Sequence, residues 1–270
     1  MIRINYFLRI AYDGANYGGW QRQANHPRTI QQTIEELLSE ALGGKISVSG
    51  CGRTDAGVHA SQFYCYLNSP KELPANFIFF MNKKLPPDIA FLEVIPVHEN
   101  AHVCMDAESR TYDYLFHDFP DAFLARSSGR FDLSKFRPEA CVAICSCLPE
   151  YTDFREFCLT PDRHNSTKVK FSSVTLFQNG DRFRIRFVAD RFLRGMIRVL
   201  MHDLVLLGSG EISQQQFEAM LQGEPRSEAV KLAPPQGLFL TGVSYPYIDR
   251  QPDLSLFGTC DWNRVSRDAS

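Results

Sequence analysis

Residues 4–12 alternate apolar and polar positions, with Ile4, Tyr6, Leu8, Ile10 and Tyr12 on one face. A period of two predicts a strand with one side buried. The pattern then becomes helical: Ile30, Ile34, Leu37, Leu38, Ala41 and Leu42 form one stripe at spacings of three and four. Thr29 and Gln32 predict a capping box at the start of this helix, and Gly43-Gly44 predict its end. Strands are expected over 45–50 and 61–68, a short helix from Pro74 to near Lys83, and a strand over 88–97. The order is βαββαβ.

The second half repeats that order without repeating the sequence. Residues 111–118 alternate, with Tyr112, Tyr114 and Phe116 on one face. A helix is expected over 134–147, and strands over 168–178 and 181–189 turn at Asn179-Gly180, a strong hairpin signal. Asp190 can cap a helix reaching to about Leu207, a short helix fits 213–222, and 238–245 closes as a strand. The expected fold is α+β: two ferredoxin-like (RRM-like) βαββαβ subdomains with mainly antiparallel sheets, side by side around a basic cleft. The expected divisions are 1–104, 105–246 and a polar tail over 247–270, read as a loose end or a late-docking segment.

Composition narrows the classes. With 44% apolar and 22% charged residues in 270, the chain has the balance of a globular protein large enough for two domains. No apolar run reaches a membrane span and the N-terminus reads as a strand rather than a leader, so a cytoplasmic location without membrane attachment is expected. The eight cysteines show no C-x-x-C pair and read as reduced thiols. Cys145 and Cys147, with Cys141 one turn earlier, could in principle touch a metal, but positions two apart on a helix face different ways and no second ligand cluster with zinc spacing follows, so no metal is expected. Net charge −2 gives no global sign of nucleic-acid binding. Locally, six arginines between 181 and 200 (Arg182, Arg184, Arg186, Arg191, Arg194, Arg198) face only Asp181 and Asp190. Basic rows on a strand and the next helix, bordered by aromatics, suit a folded RNA, although such a stripe can also be a solvated face.

The candidate chemistry lies in Gly52-Arg53-Thr54-Asp55-Ala56-Gly57-Val58-His59-Ala60, a loop between two expected strands with a carboxylate at its centre. Taken alone, Asp and Gly describe a turn. In register with other blocks, the chain resembles the tRNA pseudouridine synthase A family. Those blocks are Tyr12-Asp13-Gly14 with Gly19-Trp20-Gln21, Leu85-Pro86-Pro87-Asp88-Ile89, Arg110-Thr111-Tyr112-Asp113-Tyr114, Asp153-Phe154 with Phe157, Phe192-Leu193 with Met196-Ile197-Arg198, and Ala233-Pro234 with Gly237-Leu238. The similarity spans roughly residues 3–246.

The resemblance implies isomerisation of uridine to pseudouridine in RNA, at positions 38 to 40 of the tRNA anticodon stem-loop. That rearrangement loses no atoms, so it calls for no redox cofactor and no metal. By similarity Asp55 is the nucleophile, Arg198 the cation that keeps it ionised, and Tyr112 the ring that stacks on uracil or handles the C5 proton. Arg53, Arg110 and Arg194 are implied substrate contacts, Arg53 helping to extrude the target nucleotide. His59 is expected to hydrogen-bond within its loop. A homodimer is implied by the family alone.

Two places depart from the family pattern. Cys104 stands where an arginine is usual, and His202-Asp203 stand where small uncharged residues are usual. Three rival readings remain at this level. A paralogue acting on another RNA, such as ribosomal RNA, would keep the same catalytic residues. A non-catalytic RNA binder would not need the acid. A glycoside hydrolase would need a second catalytic carboxylate, which no motif supplies.

Overall fold

The computed structural model describes residues 4–24, 28–249 and 262–266. In chain order the elements are β1 (Ile4–Tyr12), α1 (Ile30–Leu42), β2 (Val48–Gly50), β3 (His59–Ser69), α2 (Phe77–Lys84), β4 (Ile89–Pro96) and β5 (Ser109–His117). There follow β6 (Gly129–Arg130), α3 (Pro138–Cys147), β7 (Phe171–Asn179), β8 (Arg182–Ala189), α4 (Met196–Gly208), α5 (Gln214–Leu221), β9 (Leu238–Ser244) and β10 (Asn263–Arg264). The chain forms two compact units. The first runs through Glu108 and includes the chain again from Phe239; the second runs from Ser109 to Leu238 and includes 262–266.

In the first unit the βαββαβ order is present. β1 lies antiparallel between β3 and β4. One edge of the long strand β3 serves two partners: β2 lies antiparallel to it at Cys65–Leu67, and β9 runs parallel to it at His59 and Ala60. The alternation in β1 buries Leu8 and Ile10 completely, but Phe7 on the opposite face is buried as well, against Tyr245, so the strand is covered on both sides there. The α1 stripe buries Ile30, Ile34 and Leu38. Thr29 caps α1 by accepting from Gln32 N–H, but the box is only half formed, because Gln32 Nε2 donates to Glu36. Aromatic residues after β9 close the unit. Tyr245 packs on Phe7 and Tyr64, and the Tyr247 hydroxyl reaches Asp106 at 2.8 Å.

In the second unit β8 lies antiparallel between β5 and β7, with the β7–β8 turn at Asn179-Gly180 and Gly180 at φ 56°. β6 adds in parallel to β5, and β10 to the free edge of β7. Phe116 and Phe183, buried, and Phe131 and Phe136, half-buried, form an aromatic cluster.

Several elements differ from the sequence reading. α3 begins at Pro138 rather than 134, because a turn from Leu133 to Phe136 precedes it and proline suits a first helical position. α4 begins at Met196 behind Gly195, whose φ is 72°. Asp190 does not cap α4; its carboxylate accepts from Lys170 and Arg191 N–H. The last strand, counted by sequence with the second half, pairs from Phe239 with β3 of the first unit. Of the tail, Tyr247 and β10 are docked, while residues 250–261 and 267–270 lie outside the described residues. Cys260 lies there too; among the described cysteines, Cys51, Cys65, Cys141, Cys145 and Cys158 are buried. No helix among the described residues is long and apolar enough to cross a membrane.

Candidate active site

Asp55 sits half-buried at a tight turn in which Val58 N–H donates to the Asp55 carbonyl at 3.2 Å. Gly57 adopts φ 77°, a conformation that costs glycine little and other residues more. The turn rests on the glycine-rich segment that follows β1. Trp20 N–H donates to the Thr54 carbonyl at 3.1 Å, and Gly57 N–H points at the Tyr17 carbonyl. The approach is backbone to backbone. A Cβ on Gly14 would lie 2.0 Å from the Val58 carbonyl oxygen, and one on Gly19 would lie 2.4 Å from the Thr54 carbonyl oxygen.

Side chains fix the same turn from below. The Tyr12 hydroxyl lies 2.9 Å from Thr54 Oγ1. Tyr12, Trp20 and Phe63 form a buried aromatic cluster, with the Trp20 and Phe63 rings 4.1 Å apart. His59 stacks on Phe239 at 4.5 Å. Gly14 N–H donates to His59 Nδ1 at 3.1 Å, while Asp13 Oδ1 lies 3.0 Å from the same nitrogen. A neutral ring accepts there from Gly14; a protonated ring donates there to Asp13. His59 was expected to hydrogen-bond within its own loop; these partners come instead from the segment that follows β1.

Asp88, from the Leu85-Pro86-Pro87-Asp88-Ile89 block, anchors that segment twice. Its carbonyl accepts from Asp13 N–H at 2.9 Å and its carboxylate accepts from the Tyr17 hydroxyl at 2.5 Å. Burial and the adjacent Asp88 carboxylate push the Tyr17 phenol well above its ordinary range. Arg28 lies over the Tyr17 ring and donates to its hydroxyl at 3.0 Å. Arg53 is exposed beside the turn.

The other expected site residues belong to the second unit. Tyr112 is buried on β5, edge-on to Phe192 with ring centroids 5.1 Å apart. Arg110 is half-buried on the same strand and donates to the Asp190 carbonyl at 2.7 Å. Arg194 is exposed just before α4, and its carbonyl accepts from Leu159 N–H. Arg198 is half-buried in the first turn of α4. Its Nε donates to the Ala233 carbonyl at 2.8 Å, and its carbonyl accepts from Ala233 N–H at 2.9 Å. Tyr114, one β5 face-mate further, donates to the Pro234 carbonyl at 2.8 Å, and burial raises its phenol far above the ordinary range.

The arginine stripe on β8 is not the open basic surface that the sequence suggested. Arg184 and Arg186 turn to Asp113, fully buried on β5, at 3.7 and 3.0 Å. The Arg184 guanidinium also lies between the Phe177 and Trp262 rings, at 4.4 and 4.9 Å from their centroids. Arg182 alone of the three is exposed, 3.5 Å from Asp121. Asp113 was missed as a partner because it lies 73 residues from Arg186. The pairing of β5 with β8 sets Asp113 opposite Arg186, a non-local register that the β7–β8 hairpin alone does not give.

Comparisons with known proteins bear on the family. A family described as tRNA pseudouridine synthase matches residues 151–246. The tRNA pseudouridine synthase A of Porphyromonas gingivalis is 34% identical over 254 residues, covering 89% of this chain and 97% of that protein. The proteins of the same name from Parabacteroides distasonis and Bacteroides thetaiotaomicron are also 34% identical, over 89% of this chain and 96% and 90% of theirs. With that identity over that length, the chain belongs to the tRNA pseudouridine synthase A family.

Proposed function

We propose that this protein is a tRNA pseudouridine synthase that isomerises uridines at positions 38 to 40 of the anticodon stem-loop, with Asp55 as nucleophile. The observation that carries the reading is the Asp55 turn. A carboxylate held at a tight turn by backbone contacts is positioned before substrate arrives, so little ordering is left to the reaction itself. In the reaction the bond from ribose C1′ to uracil N1 breaks, the freed base turns, and a bond from C1′ to C5 forms. C5 gives up its proton and N1 gains one, so atoms balance without a co-reactant. Asp55 supplies the electron pair that captures the intermediate. Tyr112 offers an aromatic surface for the uracil, Arg198 a cation favouring the ionised acid, and Arg53, Arg110 and Arg194 contacts to RNA.

Release of tritium from C5-labelled uridine in tRNA tests the assignment. Asp55→Asn is expected to abolish release while tRNA binding stays near wild type. Turnover of Asp55→Asn at the wild-type rate would end the nucleophile assignment. Pseudouridine mapping in cells with and without the gene tests the target, with loss expected in the anticodon stem-loop; loss confined to ribosomal RNA would replace tRNA as substrate. The same reading places the protein in the cytoplasm as a homodimer, two copies gathering more positive surface than one chain of net charge −2 offers. Light scattering at working concentration is expected to give twice the chain mass, and a single-chain mass would remove the dimer.

A further inference from the structure

Asp203 is a nearly fully buried carboxylate in the middle of α4, outside the set of residues assigned to the reaction. A carboxylate buried to that degree must have its charge compensated, or the helix would bury it alone. Arg226, in the loop between α5 and β9, supplies the compensation. Its Nη1 and Nη2 donate to the two Asp203 oxygens at 3.2 and 2.5 Å, a bidentate arrangement. Its Nε donates to the Glu156 carbonyl at 2.5 Å, its backbone N–H to the Glu156 carboxylate at 3.1 Å, and its guanidinium lies 5.0 Å from the Phe157 ring centroid. Nε, Nη1 and Nη2 of that guanidinium each donate a hydrogen bond.

The loop from Arg226 to Ala233 is therefore tied to α4 at both ends. One tie is the Asp203–Arg226 pair; the other is the reciprocal pair of hydrogen bonds between Ala233 and Arg198. Asp203 and Arg198 are five positions apart on one helix, about 7.5 Å along its axis. A strap pinned at two points of a rigid helix has little freedom between them. The Ala233 carbonyl that orients the Arg198 Nε thus depends on the far tie.

We propose that Asp203 and Arg226 are a positioning pair for Arg198: they hold the 226–233 strap so that the Ala233 carbonyl fixes the Arg198 fork. The inference rests on Arg198 acting in catalysis. Shortening the clamp changes where the guanidinium points and leaves tRNA contacts elsewhere intact. The buried acid at 203 is then half of a device that sets the site.

The experiment is a cycle between Arg226→Lys and Arg198→Lys, read as tritium release from tRNA together with melting temperature. Arg226→Lys keeps the charge and removes the bidentate fork. Alone, it is expected to lower kcat about tenfold or more, with KM for tRNA changed less than about twofold. In the Arg198→Lys background it is expected to lower kcat no further. Equal fold losses in both backgrounds would overturn the proposal, as would a wild-type kcat with only a lower melting temperature, because either makes the pair merely structural. Should Arg226→Lys not fold, Asp203→Asn is carried through the same cycle and judged by the same criterion. A wild-type kcat for Arg198→Lys alone would remove the catalytic reading of Arg198 and the clamp with it. An impaired Arg198→Lys with an additive clamp variant removes only the clamp.

Discussion

A methyl group added at Gly14 would lie 2.0 Å from the Val58 carbonyl oxygen, whereas one added at Gly52 meets nothing within 4 Å. Both glycines belong to blocks that mark the family, yet only one is needed for close approach. Gly14→Ala is expected to push the β1 segment off the Asp55 turn, costing about 1–3 kcal/mol and reducing kcat more than tRNA affinity. Gly52→Ala is expected to leave both close to wild type. Thermal melting and tritium release on the two variants check this, and an equal loss for Gly52→Ala would show that its backbone carries a demand the contacts do not reveal. The sequence could mark the loop as special but not rank its glycines. The ranking comes from how a segment some forty residues earlier in the chain packs against it, through Gly14 with His59 and Tyr12 with Thr54.

Strand and helix boundaries show the same division between local and distant causes. β1 was legible as a strand because a period-two pattern needs no information beyond itself, but the burial of Phe7 on its other face, under Tyr245, was not. The start of α4 was not. Asp190 has a capping residue's chemistry, but Lys170 N–H takes its carboxylate, and the helix waits for Gly195. β5 ends in a further element-scale feature, His117, buried with its Nδ1 2.8 Å from Ser128 Oγ. Burial lowers its pKa below the ordinary 6.5, with the Arg182 and Arg130 charges acting in the same direction against Asp121 and Asp118. A histidine depressed in the folded state binds protons more readily when unfolded. Its contribution to stability is therefore present above about pH 6.5 and lost as pH falls through the unfolded value towards the folded one. His202 on α4 is lowered by burial in the same sense. The depressed carboxylates Asp106 and Asp132 act only below their ordinary value of 3.8. Melting temperature is expected to fall between pH 7.5 and 5.5, and His117→Gln to flatten that fall. An unchanged slope in His117→Gln would mean that His117 binds protons equally in the folded and unfolded states, with no depression of its pKa.

At the scale of the whole molecule, a chain of net charge −2 must bind a polyanion with a small number of well-placed cations. The count of arginines overstates that number. Arg184 and Arg186 are used internally by Asp113, and Trp262 covers Arg184, so the β8 stripe contributes to stability. Arg194 is exposed and available to a phosphate. The two kinds of arginine differ in how they respond to salt. Arg194→Gln is expected to make tRNA affinity less salt-dependent, reducing the slope of log affinity against log salt by about 0.7–0.9, while melting stays unchanged. Arg184→Gln is expected to leave the slope unchanged and to cost about 3 kcal/mol, the low end for breaking a buried pair, because Asp113 retains Arg186. Filter binding from low to moderate salt, with melting on the same samples, separates the cases. A reduced slope for Arg184→Gln would place that guanidinium on RNA and require Trp262 to move aside when tRNA binds; a reduced slope for Arg194→Gln alone makes Arg194 a phosphate contact and keeps Arg184 an internal cation.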